Sequence, residues 1–220
     1  MKKLSPKEII AKRVAQEFKD NQLVNLGVGI PGLVPNFLPE NVEVWLQAEN
    51  GIIGGGPPAK EGQADPYFVD ASKLFCTMLP GGCTFDSTVS FGLIRGGHLD
   101  YTVLGALQVD EKGNLANWIV PGGKLAGMGG AMDLVTGAKK VIVATEHTSR
   151  DGKSKILKEC TFPLTGKEVV DYIVTEKAFI EVTPDGLVLK EIAPGVTVEE
   201  IIAITEASLI IDRNIKPMPI

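Results

Sequence analysis

Short apolar runs recur along this chain and are separated by segments that carry helix signals. The runs are "QLVNLGV", "VEVWLQ", "YTVLGALQV" and "KKVIVATE". A strand with one wet face alternates apolar and polar residues. These runs do not alternate, so both of their faces must be covered by other parts of the chain. The covering segments are legible too. "SPKEIIAKRVAQEF" places Ser5, Pro6 and Glu8 as a capping box with proline at the first helical position, and Ile10, Val14 and Phe18 form an apolar stripe. "STVSFGLIRGG" reads as a helix capped by Asp86 or Ser87 and stopped at Gly96-Gly97. Thr165 with Glu168 predicts a capping box and a helix in "LTGKEVVDYI"; Thr197 with Glu200 does the same in "TVEEIIAIT". "AFIEVTPDGLVLKEI" predicts a hairpin around Pro184-Asp185-Gly186, and "ANWIVPGG" is a further candidate strand. The expected fold is α/β: a single open, mainly parallel sheet with helices on both faces, in one domain over residues 1–220.

Bulk charge narrows the partners. The formal net charge is −5, which argues against a nucleic-acid backbone or an anionic membrane surface. No apolar window approaches the length of a membrane span, and "MKKLSPKEII" lacks a hydrophobic signal core, so a cytoplasmic location is expected. Cys76, Cys83 and Cys160 show no paired spacing and are expected to be reduced, as small buried hydrophobes. His98 and His147 are far apart in sequence, and no metal site is expected.

In open α/β sheets, ligands gather beyond the carboxyl ends of the strands. Glu49 stands at such an end, after "VEVWLQ", and opens a glycine-dense stretch, "ENGIIGGGP". Two other clusters follow predicted strands: "GVGIPG", Gly27 to Gly32, and "GMGG", Gly127 to Gly130. Loops without side chains let a bulky ligand approach, and their bare amides suit a developing oxyanion or a phosphate. A converging arrangement would bring them to one edge of the sheet. Gly27, Gly29 and Gly32 match G-x-G-x-x-G, with Glu49 placed like a ribose acid, so nicotinamide binding is one alternative. Pro31 and Pro35 oppose it, because they interrupt the helix that should follow. "PGGKLAG" fails as a phosphate loop: Trp118 stands where the first glycine belongs, and Leu125 replaces the Ser or Thr.

"LQAENGIIGGGP" resembles the family I coenzyme A transferases, in which an S-E-N-G motif carries a catalytic glutamate. "SFGLIRGGHLDYTVLGALQVDEKGNLANWIVPG", "GMGGAMDLVTGAKKVIVATEH", "KILKEC" with "PLTGK", and the closing "PMPI" are similar to other signatures of that family. The resemblance covers nearly the whole chain and is to β subunits of the butyrate–acetoacetate and succinyl–3-ketoacid kind. It departs at Ala48, which stands in place of the motif serine, and at "GGGP", where "GLGP" is common.

The resemblance implies a CoA-transferase / ribose-phosphate isomerase-like fold and an α-subunit partner in an α2β2 heterotetramer. The substrates would be an acyl-CoA and a carboxylic acid, and no cofactor is needed because coenzyme A is itself a substrate. It implies Glu49 as nucleophile, Gly130 as a backbone oxyanion donor, and Asn50, Gly51, Gly127 and Gly129 at the substrate. Lys124 is a candidate for the CoA phosphates, beside the plainer reading of a solvated lysine. The alternative function is a non-catalytic sugar-phosphate-binding module on a related fold.

Overall fold

The computed structural model describes residues 4–62, 64–123 and 127–220. Helix α1, Pro6–Ala15, starts from the predicted capping box: the Ser5 hydroxyl accepts from the Glu8 amide and the Glu8 carboxylate accepts from the Ser5 amide. Such a cap is worth about 1 kcal/mol. The strands that follow are β1 (Gln22–Leu26), β2 (Val44–Ala48), β3 (Ile52–Pro58) and β4 (Cys76–Thr84). Next come α2 (Ser87–Arg95), β5 (Tyr101–Leu104), β6 (Gln108–Asp110), β7 (Leu115–Ala116), α3 (Ala131–Gly137), β8 (Lys140–Ala144) and β9 (Ile156–Leu157). The chain continues with β10 (Tyr172–Val174), β11 (Ala178–Thr183), β12 (Gly186–Ile192), α4 (Val198–Ile204) and β13 (Leu209–Pro217).

Ten strands form one open sheet in the order β13-β12-β11-β10-β8-β5-β1-β2-β3-β4. Its centre, β10-β8-β5-β1-β2, is parallel throughout. Antiparallel hairpins flank the centre: β2–β3–β4 on one side and β10–β11–β12 on the other. Both faces are covered, as the unalternating runs require. Helix α1 lays Ile10 and Val14 against Val24, Val44, Val103 and Ile142. On the opposite face Ile94 of α2, Leu134 of α3 and Ile201 of α4 join Val141, Val143 and Ile173.

Four local expectations fail. "LTGKEVVDYI" does not form a helix. Thr165 is buried and its hydroxyl donates to the Asn117 side chain at 2.6 Å, while Glu168 has φ of 55°. Tyr172–Val174 instead pairs with β8 and β11, so tertiary pairing overrides the local cap signal. In "ANWIVPGG" only Ala116 belongs to a strand. "YTVLGALQV" breaks after Leu104, and its second half joins a separate three-stranded sheet of β7, β6 and β9. None of the cysteines is buried: Cys76 and Cys160 are half-exposed and Cys83 is exposed. The edge strand β13 had no counterpart in the sequence reading.

Candidate active site

Glu49 sits at the tip of the β2–β3 hairpin, between Ala48 and Ile52, which pair across it. The turn is Glu49-Asn50-Gly51, closed by the Gly51 amide donating to the Ala48 carbonyl at 2.9 Å. Gly51 is obligatory there. Its φ is 112°, and a Cβ would lie 1.9 Å from the Phe85 carbonyl oxygen. The Phe85 amide donates back to the Gly51 carbonyl, so the hairpin tip is stitched to the segment that opens α2.

The decisive contact is with the third glycine cluster. The Gly130 amide donates to Glu49 Oε1 at 3.2 Å, across 81 positions of sequence. A side chain on Gly130 would crowd the carboxylate: a Cβ would stand 3.0 Å from the Glu49 carboxyl carbon and 3.1 Å from Phe91 Cζ. A Cβ on Gly129, whose φ is 54°, would lie 3.6 Å from Oε1. Gly127 has φ of 84° and open space around it. One carboxylate oxygen is thus held by a backbone donor, and the other, Oε2, has no hydrogen-bond partner among the described residues.

Asn50 is exposed and bonds to a neighbouring loop. Its amide donates to the Val69 carbonyl at 2.8 Å and ties down the loop between β3 and β4. The glycines after Glu49 are not an open loop but strand β3. Gly54 and Gly56 are needed for packing, since a Cβ at Gly54 would meet Gly82 at 2.8 Å and Trp45 at 3.0 Å, and one at Gly56 would meet Thr77 at 2.6 Å. Gly27 bonds to Val103 of β5, and Pro31–Phe37 is a 3-10 helix containing Pro35. The α-helix that a dinucleotide fingerprint requires is therefore missing. Two of the three glycine clusters meet at Glu49. Lys124 lies outside the described residues. Phe91, which packs beside Gly130, was missed, because nothing in "STVSFG" marks it.

His147 belongs to the frame and not to this site. It is buried, with its ring nitrogens 3.0 and 2.8 Å from the Thr175 and Thr205 hydroxyls, and burial lowers its pKa to about 4. Among the described residues no group of three or more His, Cys, Asp or Glu side chains is arranged for a metal. Two cavities of about 480 and 460 Å³ open elsewhere on the surface, and neither is lined by Glu49. No described helix is long and apolar enough to cross a membrane.

The Coenzyme A transferase family profile matches residues 7–203. The chain belongs to the coenzyme A transferase family. Membership makes it a component of a CoA-transferring enzyme. The chain is 52% identical to the acetate CoA-transferase subunit beta of Haemophilus influenzae, over 99% of this chain and 97% of that one. It is also 52% identical to the protein of that name from Escherichia coli K12, over 93% of each. A mouse mitochondrial succinyl-CoA:3-ketoacid coenzyme A transferase, 2B, is 50% identical over 95% of this chain, which spans only 41% of the mouse protein.

Among solved structures, the apoenzyme of the acyl-CoA transferase YdiF from Escherichia coli O157:H7 superposes with a TM-score of 0.79 at 25% identity, over 99% of this chain and 44% of that one. The decarboxylase AibA/AibB superposes with a TM-score of 0.73 at 15% identity, over 99% of this chain and 90% of that one. That second likeness shows the fold alone, which hosts more than one chemistry. The reaction therefore has to be argued from the site.

Proposed function

We propose that this chain is the β subunit of an enzyme that moves CoA between short-chain carboxylic or 3-oxo acids, with Glu49 as covalent carrier. The observation that carries the reading is the Glu49 carboxylate held at 3.2 Å by the Gly130 amide, in a chain that matches the family along its length.

The chemistry follows from the two carboxylate oxygens. The free oxygen attacks the thioester carbonyl of an acyl-CoA; the C–S bond breaks and CoA leaves as thiolate, giving a mixed acyl-glutamyl anhydride. The thiolate then attacks the glutamyl carbonyl carbon. The C–O bond to the first acid breaks, that acid departs as its carboxylate, and a glutamyl-CoA thioester remains. A second acid runs the sequence in reverse. When the thiolate attacks, negative charge develops on the glutamyl oxygen that faces the Gly130 N–H. An aimed donor of this kind is worth about 3 kcal/mol. No step calls for a cofactor or metal.

Several features support a partner chain. Glu49 lies half-exposed on a hairpin tip, the relatives matched end to end are named β subunits, and the mouse relative carries more than half of its length outside the match. The reading places an α subunit over Glu49, in an α2β2 assembly in the cytoplasm. Acetoacetate with butyrate, acetate or succinate are the acid pairs it includes.

The test is to incubate the chain and its α partner with acetoacetyl-CoA or acetyl-CoA, digest, and weigh the peptide that holds Glu49. A mass increase equal to CoA less one water, as a thioester requires and absent from Glu49→Ala, is expected. An unmodified peptide during full turnover overturns the reading.

A further inference from the structure

A row of buried polar side chains lies directly behind the Glu49 hairpin. Thr102 of β5, Asn25 of β1 and Gln47 of β2 occupy adjacent positions on three neighbouring parallel strands, with Asn25 registered to both others. Strand neighbours in register project to the same face of the sheet. Ser90 of α2 lies over that face. All four residues are at most 3% exposed.

Their hydrogen bonds run in one direction. The Thr102 hydroxyl donates to Asn25 Oδ1 at 3.3 Å; Asn25 Nδ2 donates to Gln47 Oε1 at 2.8 Å and to the Gln47 carbonyl at 3.2 Å; Gln47 Nε2 donates to Ser90 Oγ at 3.0 Å. Each amide accepts a hydrogen bond at its oxygen and donates one from its nitrogen. Flipping Asn25 alone would set oxygen against oxygen, and flipping Gln47 alone would set donor against donor; flipping both would turn the Asn25 oxygen onto the Gln47 carbonyl, so a single arrangement satisfies the row.

Apolar side chains would fill this space without the desolvation that buried amides incur. Apolar contacts also let a helix slide along a sheet, whereas a directed hydrogen bond fixes its position. The location gives that fixation a use. Gln47 lies two residues before Glu49, and Ser90 lies one residue before Phe91, whose ring packs against Gly130. Helix α2 is tied to α3 again by Arg95 and Asp133 at 2.7 Å. The Gln47–Ser90 bond therefore joins the two bodies whose relative position sets the Glu49–Gly130 contact.

Resting on the function proposed above, we propose that the Thr102–Asn25–Gln47–Ser90 row is a positioning device that holds the Glu49 carboxylate on the Gly130 amide. Gln47 and Ser90 are its positioning residues; neither touches the reacting atoms.

The test uses the full chain with its α partner, as wild type, Ser90→Ala, Gln47→Met and the double variant. Hydrogen exchange at the Gly130 amide reads the geometry without reference to catalysis. It should quicken by about tenfold or more in each single variant, with the amides of β5 and β8 unchanged. In turnover, kcat should fall by about 10- to 100-fold. KM for acyl-CoA should stay within about twofold, and the double variant should lose less than about twofold beyond the worse single one. Unchanged Gly130 exchange overturns the inference, as does unchanged kcat. An equal rise in exchange across β5 and β8 also overturns it, because that is general loosening. If the wild-type pair neither transfers CoA nor forms a Glu49 adduct, the proposed function falls, and Gly130 exchange still decides the row.

Discussion

At the scale of single residues the site reduces to one carboxylate and one amide. Glu49→Gln keeps the shape of the side chain and removes the proposed nucleophile, so transfer should fall at least about 10³-fold. The melting temperature should change little, because Glu49 sits in a surface turn; steady-state assays and thermal melts check both. Gly130→Ala is the complementary change. Its methyl would sit 3.0 Å from the Glu49 carboxyl and 3.1 Å from Phe91, so it should push the carboxylate off the amide and lower kcat by about 10²-fold. Serine in the motif has become Ala48 here, and the amide contact forms without its hydroxyl. The thiols separate by environment. Burial and the nearby Asp110 push the Cys160 thiol up to about 12, whereas Cys83 is exposed. Iodoacetamide at pH 8 should label Cys83 and leave Cys160 unlabelled, as read by peptide mass.

At the scale of elements, the β2–β3 hairpin does most to place the site. Gly51 combines a positive φ with a 1.9 Å approach of a would-be Cβ to the Phe85 oxygen. Gly51→Ala should therefore destabilise the fold by about 3 kcal/mol, read as a shift in the urea midpoint. The hairpin also corrects a reading of the sequence. Glycines after Glu49 looked like a loop cleared for a ligand, but Gly54 and Gly56 are small because Trp45, Gly82 and Thr77 crowd them. Helix caps separate in the same way. Ser5/Glu8 and Thr197/Glu200 form as their spacing predicts, and Asp86 caps α2. Thr165/Glu168 has the same spacing and forms no helix. A cap contributes about 1 kcal/mol, less than the pairing of Tyr172–Val174 between β8 and β11 supplies.

For the whole molecule, the buried His147 links folding to pH. Its pKa is near 4 in the fold against 6.5 for a free imidazole. Between those values the unfolded chain binds more protons than the folded one, so stability rises with pH across that window. Full stability holds above about pH 6.5, and up to about 3 kcal/mol is lost as pH falls to 4. Denaturant midpoints measured along that range should show the slope, and His147→Gln should flatten it. The open sheet, by contrast, follows from the pattern of residues. Its central strands are covered on both faces, with α1 on one side and α2, α3 and α4 on the other.

The amino-acid order alone determined the α/β class, the family, the capped starts of α1, α2 and α4, and Glu49 with its glycine turn. Each of these rests on neighbours a few residues apart or on a long shared pattern. Only the tertiary structure decided that Gly130 reaches Glu49, that Asn50 faces Val69, and that a polar row ties β2 to α2. Those contacts join residues 19 to 81 positions apart. Their geometry is set by strand order and helix packing, which no local propensity encodes.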